Sequence, residues 1–174
     1  KQWPLSAVVA LTLGTNPVLA ADWARIAIGQ PPPAAQAATD PATRWYRCHV
    51  RPPEAMVTPQ EKDLWRDSMT LGFRGVSGTL AVWLNGHKII ESGPLPAGQA
   101  ARFKVPKDIL EKDTFNTFVV RWQGPGAAAG FPEPPLFAGY FDELPLGPEW
   151  EVTDSEPAAG ELQPRRQRPS TAAY

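Results

Sequence analysis

Residues 79–92 read TLAVWLNGHKIIES and predict a β-hairpin. Every second residue from Leu80 to Leu84 is a large aliphatic residue, which is the period of a strand with one buried face. The pair Asn85-Gly86 separates this run from a second apolar run. Both residues of such a pair tolerate a positive φ, as the tight turn between two adjacent antiparallel strands requires. We therefore expect two paired strands joined at this turn.

Similar short runs lie on both sides of the hairpin, separated by Gly, Pro, Asn or Asp. They lie at 44–50, 68–76, 101–106, 116–122, 139–146 and 149–152. Seven or eight short strands at such close intervals are typical of an all-β sandwich. In the first of these runs the alternation assigns Tyr46, Cys48 and Val50 to the core face.

Two segments between the strands predict short helical turns. At 58–65, Thr58 is followed three residues later by Glu61, which is the pattern of a capping box. The second turn is expected at 105–110, after the strand that ends at Pro106.

Composition limits the classes of protein to be considered. The 174 residues, enough for one domain with a core, include 17 basic and 18 acidic side chains, a formal net charge of −1. Such a chain lacks the positive field on which nucleic-acid binding relies. The 21 prolines argue against a helical bundle. A single cysteine, Cys48, excludes an intrachain disulfide and a Cys cluster for zinc or iron-sulfur.

The first twenty residues have the pattern of an export signal. Lys1 precedes the short apolar run LSAVVALTL at 5–13, and small uncharged residues, Val18 and Ala20, lie three and one positions before a cut after Ala20. The apolar run is shorter than the roughly 20 residues that cross a bilayer as a helix. We expect cleavage after Ala20, an exported (periplasmic or extracellular) mature chain and no membrane span. The alternative is a buried N-terminal strand or helix.

The predicted sandwich occupies residues 44–153, with connecting segments on both sides. Residues 21–43 begin with a segment that is compatible with a helical turn or a short strand and continue into a linker rich in Pro and Ala. Residues 154–174 also lack a core pattern. Connections at both ends predict that the chain packs against further domains of the same polypeptide.

The sequence supplies little for catalysis. Glycoside hydrolysis needs two carboxylates on either side of one bond, whereas the neighbours Asp142 and Glu143 point to opposite faces of a strand. The chain has only two histidines, His49 and His87, and no Gly-x-Ser-x-Gly motif for a nucleophile. These residues and Cys48 are too scattered to predict a metal site. We expect no enzymatic activity in this chain by itself, no cofactor and no metal.

Five motifs between about residues 40 and 153 carry a family resemblance. They are Trp45-Tyr46-Arg47, the strand at 71–76, the hairpin at 82–86, the strand and turn at 103–110, and Asn116-Thr117-Phe118-Val119-Val120-Arg121. In this order and spacing they resemble the N-terminal sugar-binding domain of glycoside hydrolase family 2, a jelly-roll sandwich of the galactose-binding-like fold. A similar module is embedded in sialate O-acetylesterases, where a strand like Gly147-Pro148-Glu149-Trp150 follows the sandwich.

The resemblance implies an accessory module that binds carbohydrate at the N-terminal part of a larger secreted glycoside hydrolase. The catalytic glutamates of that family lie on a separate barrel domain that this chain does not contain, so no catalytic residue is carried over. The segment at 124–139 also departs from the family, which places a tighter Gly-rich loop there; it is expected to be either a lip over the ligand or an interdomain contact.

The candidate ligand-binding residues are Trp83, Trp65, Asn85 and His87. Carbohydrate sites combine an aromatic face with hydrogen-bonding side chains. Trp83 lies out of the hydrophobic phase of its strand and Trp65 lies beside a capped turn, so both rings are expected to be exposed. For Trp83 the alternative is burial under a second layer or a neighbouring domain. The turn itself explains Asn85, and an ordinary surface position explains His87.

Two hypotheses follow for the function of the chain. The first is a non-catalytic, exported, carbohydrate-binding module of a larger glycoside hydrolase. The second is a structural or docking domain of an exported multidomain protein with a different catalytic part, such as a cytochrome-linked dehydrogenase.

Overall fold

The structure, a computed structural model, describes residues 20–29, 41–57, 69–106, 108–125, 130–139, 143–147 and 149–166. The helical turn expected at 58–65, with its Trp65, lies outside the described residues, as do residues 1–19 of the expected export signal. The strands within the described part are β1 (Ala24–Ala27), β2 (Ala42–Val50), β3 (Thr70–Arg74), β4 (Thr79–Leu84), β5 (His87–Glu91), β6 (Ala100–Lys104), β7 (Asn116–Gly124), β8 (Leu136–Ala138), β9 (Glu143–Pro145) and β10 (Glu149–Thr153). The helical segments are α1 (Glu54–Val57) and a 3₁₀ helix (Ala159–Leu162).

These strands form two antiparallel sheets. The larger sheet has the order β1-β10-β2-β7-β4-β5 and the smaller sheet the order β6-β3-β8-β9. Aromatic side chains join the sheets, because Phe118 of β7 packs edge-on against Phe137 of β8 with ring centroids 5.7 Å apart. The predicted all-β sandwich is confirmed.

The core follows the alternation of the strands. Tyr46 and Cys48 are buried on the inner face of β2, as the sequence predicts. Phe131, which comes from a connecting segment, also enters the core and packs against Tyr46 at 4.7 Å and Trp150 at 5.2 Å between ring centroids. Phe131 also lies 6.0 Å from Phe73 of β3, in the smaller sheet, so a loop residue supplies part of the apolar contact between the two sheets.

The hairpin at the centre of the sequence argument has the predicted geometry. β4 and β5 pair in antiparallel register, and the turn residues Asn85 and Gly86 have φ of 52° and 82°. Two consecutive positive φ values are the hallmark of the turn that matches the twist of adjacent strands.

The expected connecting segments contribute more to the fold than their composition indicates. β1, from the segment at 21–43, pairs with β10 as an edge strand of the larger sheet. Residues 154–166, expected to be linker, fold back so that Phe115 and Arg165 exchange backbone hydrogen bonds of 2.9 Å. This C-terminal segment is therefore not a free linker over residues 154–166, because its backbone hydrogen-bonds to a residue that lies far away in the sequence.

Two further expectations need correction. The helical turn expected at 105–110 is absent from the described residues there, since Asp108 has a φ of 66°, which a right-handed helix does not accommodate. The segment at 124–139 is not loop throughout, because it contains β8, which pairs with β3 and β9.

Candidate functional site

Trp83 lies on the outer face of the larger sheet. Its neighbours Val82 and Leu84 are fully buried in the core, so the alternation of β4 directs Trp83 outward. The ring is half-buried and packs against Trp45 of β2 at 5.3 Å between centroids, with 38° between the planes. The sequence thus predicts the direction of this side chain correctly, although the ring is only partly exposed.

Charged side chains surround the Trp83 ring. Lys88 Nζ lies 5.6 Å and Arg121 Cζ 5.9 Å from the ring centroid. The Glu91 carboxylate accepts hydrogen bonds from both cations, with Arg121 Nη2 at 3.1 Å. The hydrogen bond from Lys88 and the two positive charges lower the pKa of Glu91. We call Trp45, Trp83, Lys88, Glu91 and Arg121 the Trp83 cluster.

The two other predicted site residues that the structure describes, Asn85 and His87, do not join Trp83. Asn85 is buried, and its side-chain amide donates to Asn116 Oδ1 at 2.7 Å and to the Ile109 carbonyl at 3.0 Å, while its Oδ1 accepts from Thr117 N at 2.9 Å. These three hydrogen bonds give the Asn85 side-chain amide a structural role. His87 is exposed, but it pairs with the core-facing Leu84 and therefore lies on the opposite side of the sheet from Trp83.

A depression on the outer face of the smaller sheet was not predicted. Gly72 lies between Arg102 and Leu136 in register, and Leu136 pairs in turn with Pro145. Gly72 has no side chain, so there is a gap between the side chains of Arg102 and Leu136. The strands that carry these two residues each lie about 5 Å from β3. The depression has a volume of about 280 Å³, and Arg74 and Glu133 lie at its rim with a 3.7 Å ion pair. The isolated glycine within a strand pattern was the available signal.

A third polar group lies under the C-terminal segment. His49 Nδ1 lies 3.0 Å from Thr117 Oγ1, and that hydroxyl donates to the Gln163 carbonyl at 2.8 Å. Because the hydroxyl proton is used on Gln163, Thr117 accepts from His49, and the imidazole carries its proton on Nδ1. Burial, reinforced by the charges of Arg165 and Arg47, lowers the pKa of His49 to about 3.

We expect His49 to make folding stability sensitive to acid. Its pKa is about 6.5 in the unfolded chain and about 3 in the folded protein, so the unfolded state takes up a proton first as the pH falls. Stability is therefore full above about pH 6.5 and decreases below it, by about 2 kcal/mol between pH 7 and pH 5. Chemical unfolding of the wild type and of His49→Asn across this range measures the difference. The matched control is His87→Asn, at an exposed position, which should keep the pH dependence of the wild type. If the unfolding free energy of His49→Asn fell with pH as steeply as that of the wild type, the prediction would be contradicted.

The remaining chemistry-bearing groups offer no further centre within the described ranges. Cys48 is buried, and desolvation followed by the charge of Glu151 raises the pKa of its thiol. No group of three or more His, Cys, Asp or Glu side chains there is arranged to hold a metal ion. No helix in that part of the chain is long and apolar enough to cross a membrane.

The fold and the site together define a class, an antiparallel β-sandwich with a cation-flanked tryptophan pair on one outer face and a small depression on the other. Comparison with known proteins does not narrow this class, since no family model and no curated protein matches the chain.

Proposed function

We propose that this chain is a non-catalytic, exported accessory module that binds carbohydrate, and that it forms the N-terminal part of a larger secreted glycoside hydrolase. The observation that carries the proposal is the Trp83 cluster, which combines a half-buried indole with a guanidinium, an ammonium and a carboxylate. The five-motif resemblance to the sugar-binding domain of glycoside hydrolase family 2 adds support.

The chemistry of the cluster suits a sugar ring. An indole offers a flat apolar surface for the C–H face of a pyranose, and polar side chains near the ring hydrogen-bond to the hydroxyls. Arg121 and Lys88 donate, and Glu91 accepts. Glu91 has a lowered pKa and stays ionised, so it serves as a hydrogen-bond acceptor rather than as a general acid.

The test is binding of the full chain to a glycan array, followed by titration of the best ligand against variants. Trp83→Ala is expected to weaken binding about tenfold or more, because it removes the stacking surface. Arg121→Gln should weaken binding as well. Arg102→Gln, an arginine on the other sheet, is the matched control and should bind like the wild type.

Gly72→Val decides between the two faces of the sandwich. The backbone at Gly72 is not in the left-handed region, and a Cβ there meets no atom closer than 3.7 Å, so the variant places a side chain in the gap of the depression with its Cβ in ordinary van der Waals contact. Loss of binding in Gly72→Val with retention in Trp83→Ala would contradict the Trp83 cluster as the site. No binding by the wild type to any glycan would refute the proposal and favour the docking-domain alternative.

A further inference from the structure

Glu161, on the 3₁₀ helix, joins the N-terminal and C-terminal parts of the described chain. Its Oε1 accepts a hydrogen bond from Trp23 Nε1 at 2.7 Å. Its Oε2 accepts from the backbone nitrogens of Ala21 at 3.2 Å and Ala158 at 3.0 Å. The side chain is 16% exposed. Burial opposes its ionisation, but the three hydrogen bonds and the nearby Arg47 outweigh burial and lower the pKa of Glu161.

Positive charge is scarce around this carboxylate. Arg47, whose side chain is 5% exposed, donates to Glu151 at 2.7 Å and reaches Glu161 at 3.4 Å, so two carboxylates share one guanidinium. The same guanidinium lies 4.0 Å from the centroid of the Trp23 ring. The adjacent His49, with a pKa of about 3, adds no charge at neutral pH. Glu151 and Glu161 thus carry two negative charges against the single positive charge of Arg47.

The backbone nitrogen on Glu161 belongs to the residue that follows the expected cleavage site. Ala20 is exposed and Ala21 is half-buried, so the Ala20–Ala21 peptide bond lies at the surface of the described part of the chain. Cleavage there would turn the Ala21 amide, which already lies 3.2 Å from Glu161 Oε2, into a free amino group.

We propose that Glu161 is the binding site for the α-ammonium group of Ala21, released when a signal peptidase hydrolyses the Ala20–Ala21 bond. Water adds across the C–N bond: Ala20 keeps the new carboxylate, and the Ala21 nitrogen leaves as an amine that takes up a proton. This inference rests on the proposed export of the chain and not on carbohydrate binding. It assigns Glu161 and the segment around it a role in completing the fold after processing.

The physical gain comes from replacing a neutral donor by a charged one. An amide N–H donates one hydrogen bond, whereas an ammonium group donates three and carries a full charge. Charge-assisted hydrogen bonds are roughly twice as strong as neutral ones, and a carboxylate with little exposure is screened weakly by salt. The ammonium also adds a positive charge beside Glu151 and Glu161, the two carboxylates that share the Arg47 guanidinium. The interaction between the Ala21 ammonium group and Glu161 connects the residues that precede β1 to the C-terminal segment.

The first measurement is the N-terminus of the exported protein. The full chain is expressed in a host that exports it, and intact mass with N-terminal sequencing should identify Ala21 as the first residue. A mature N-terminus at another residue would refute the proposal, whatever the outcome of the glycan experiments.

The second measurement compares the uncleaved chain with the same chain processed by signal peptidase. At pH 6 the processed chain should unfold about 2–4 °C higher, which corresponds to about 1 kcal/mol in a protein of this size. In Glu161→Gln, which keeps an acceptor for Trp23 but loses the charge, processing should give no gain. Glu156→Gln, an exposed carboxylate in the same segment, is the matched control and should keep the gain.

The pH dependence separates the ammonium from any effect of the leader itself. An α-amino group with a carboxylate partner is stabilising in its protonated form, so the gain is full below the usual titration near pH 8 and is lost above it. The gain should therefore vanish by about pH 10. Both forms contain Arg47 and Glu151, the neutral His49 and Arg165, whose charge acts on His49. The effects of these groups therefore cancel in the comparison. A gain that persists at pH 10, or that survives in Glu161→Gln, would overturn the proposal.

Discussion

Gly78→Ala is expected to lower the free energy of unfolding by about 4 kcal/mol. Gly78 has a φ of 96°, and a Cβ there would collide with the Gln123 carbonyl oxygen and lie 3.2 Å from Trp122 Nε1. The left-handed backbone costs a non-glycine residue about 1–2 kcal/mol, and forced overpacking adds about 1–3 kcal/mol. Local relaxation is blocked, because Gly78 exchanges two backbone hydrogen bonds with Leu95.

The control for this prediction is Gly93→Ala. A Cβ at Gly93 meets no atom within 4 Å, and its φ is not in the left-handed region. The change should therefore alter stability by no more than about 0.5 kcal/mol. Urea unfolding followed by tryptophan fluorescence measures both variants. If both substitutions changed the free energy of unfolding equally, the close contact between Gly78 and the Gln123 carbonyl would not be the reason that glycine is required at this position.

Asn85→Ala is expected to cost about 3 kcal/mol. The change removes the acceptor of the buried Thr117 N–H and the donor to the Ile109 carbonyl. An unsatisfied buried polar group costs about 1–3 kcal/mol. Alanine at a φ of 52° adds about 1–2 kcal/mol of strain. The same urea experiment measures the loss.

Asn85→Gly separates the two contributions, because glycine adopts the turn conformation without strain. It should cost about 1 kcal/mol less than the alanine variant. A double-mutant cycle with Asn116→Ala should show a coupling energy of about 1 kcal/mol, since Asn85 Nδ2 donates to Asn116 Oδ1 at 2.7 Å. Two results would contradict this prediction: equal losses of unfolding free energy in Asn85→Gly and Asn85→Ala, or additive effects of the Asn85 and Asn116 substitutions. Either result would show that the strain at residue 85 or its hydrogen bond with Asn116 does not contribute to stability as the geometry indicates.

The candidate sites differ in how much of them is predictable. The outward direction of Trp83 follows from its phase in the strand, and local alternation is sufficient to find it. Its partners Arg121 and Trp45 lie on other strands, and only the register of β2, β7 and β4 brings them to the same part of the sheet. The sequence indicates a ligand-binding role for Asn85 as well as a role in the turn, because it does not reveal the buried groups that hydrogen-bond to the Asn85 amide.

What the sequence determined by itself was local. The period of two in 79–84 and the Asn-Gly pair specify a hairpin because alternation and backbone preference act over a few residues. The strand runs around it specify an all-β sandwich in the same way. The depression beside Gly72 and the hydrogen bond from Ala21 to Glu161, 140 residues apart, depend on which distant segments pair. Only the tertiary structure decided these two features. Burial and strand pairing select the distant partners of each segment, whereas composition alone makes a segment such as 154–166 resemble a linker.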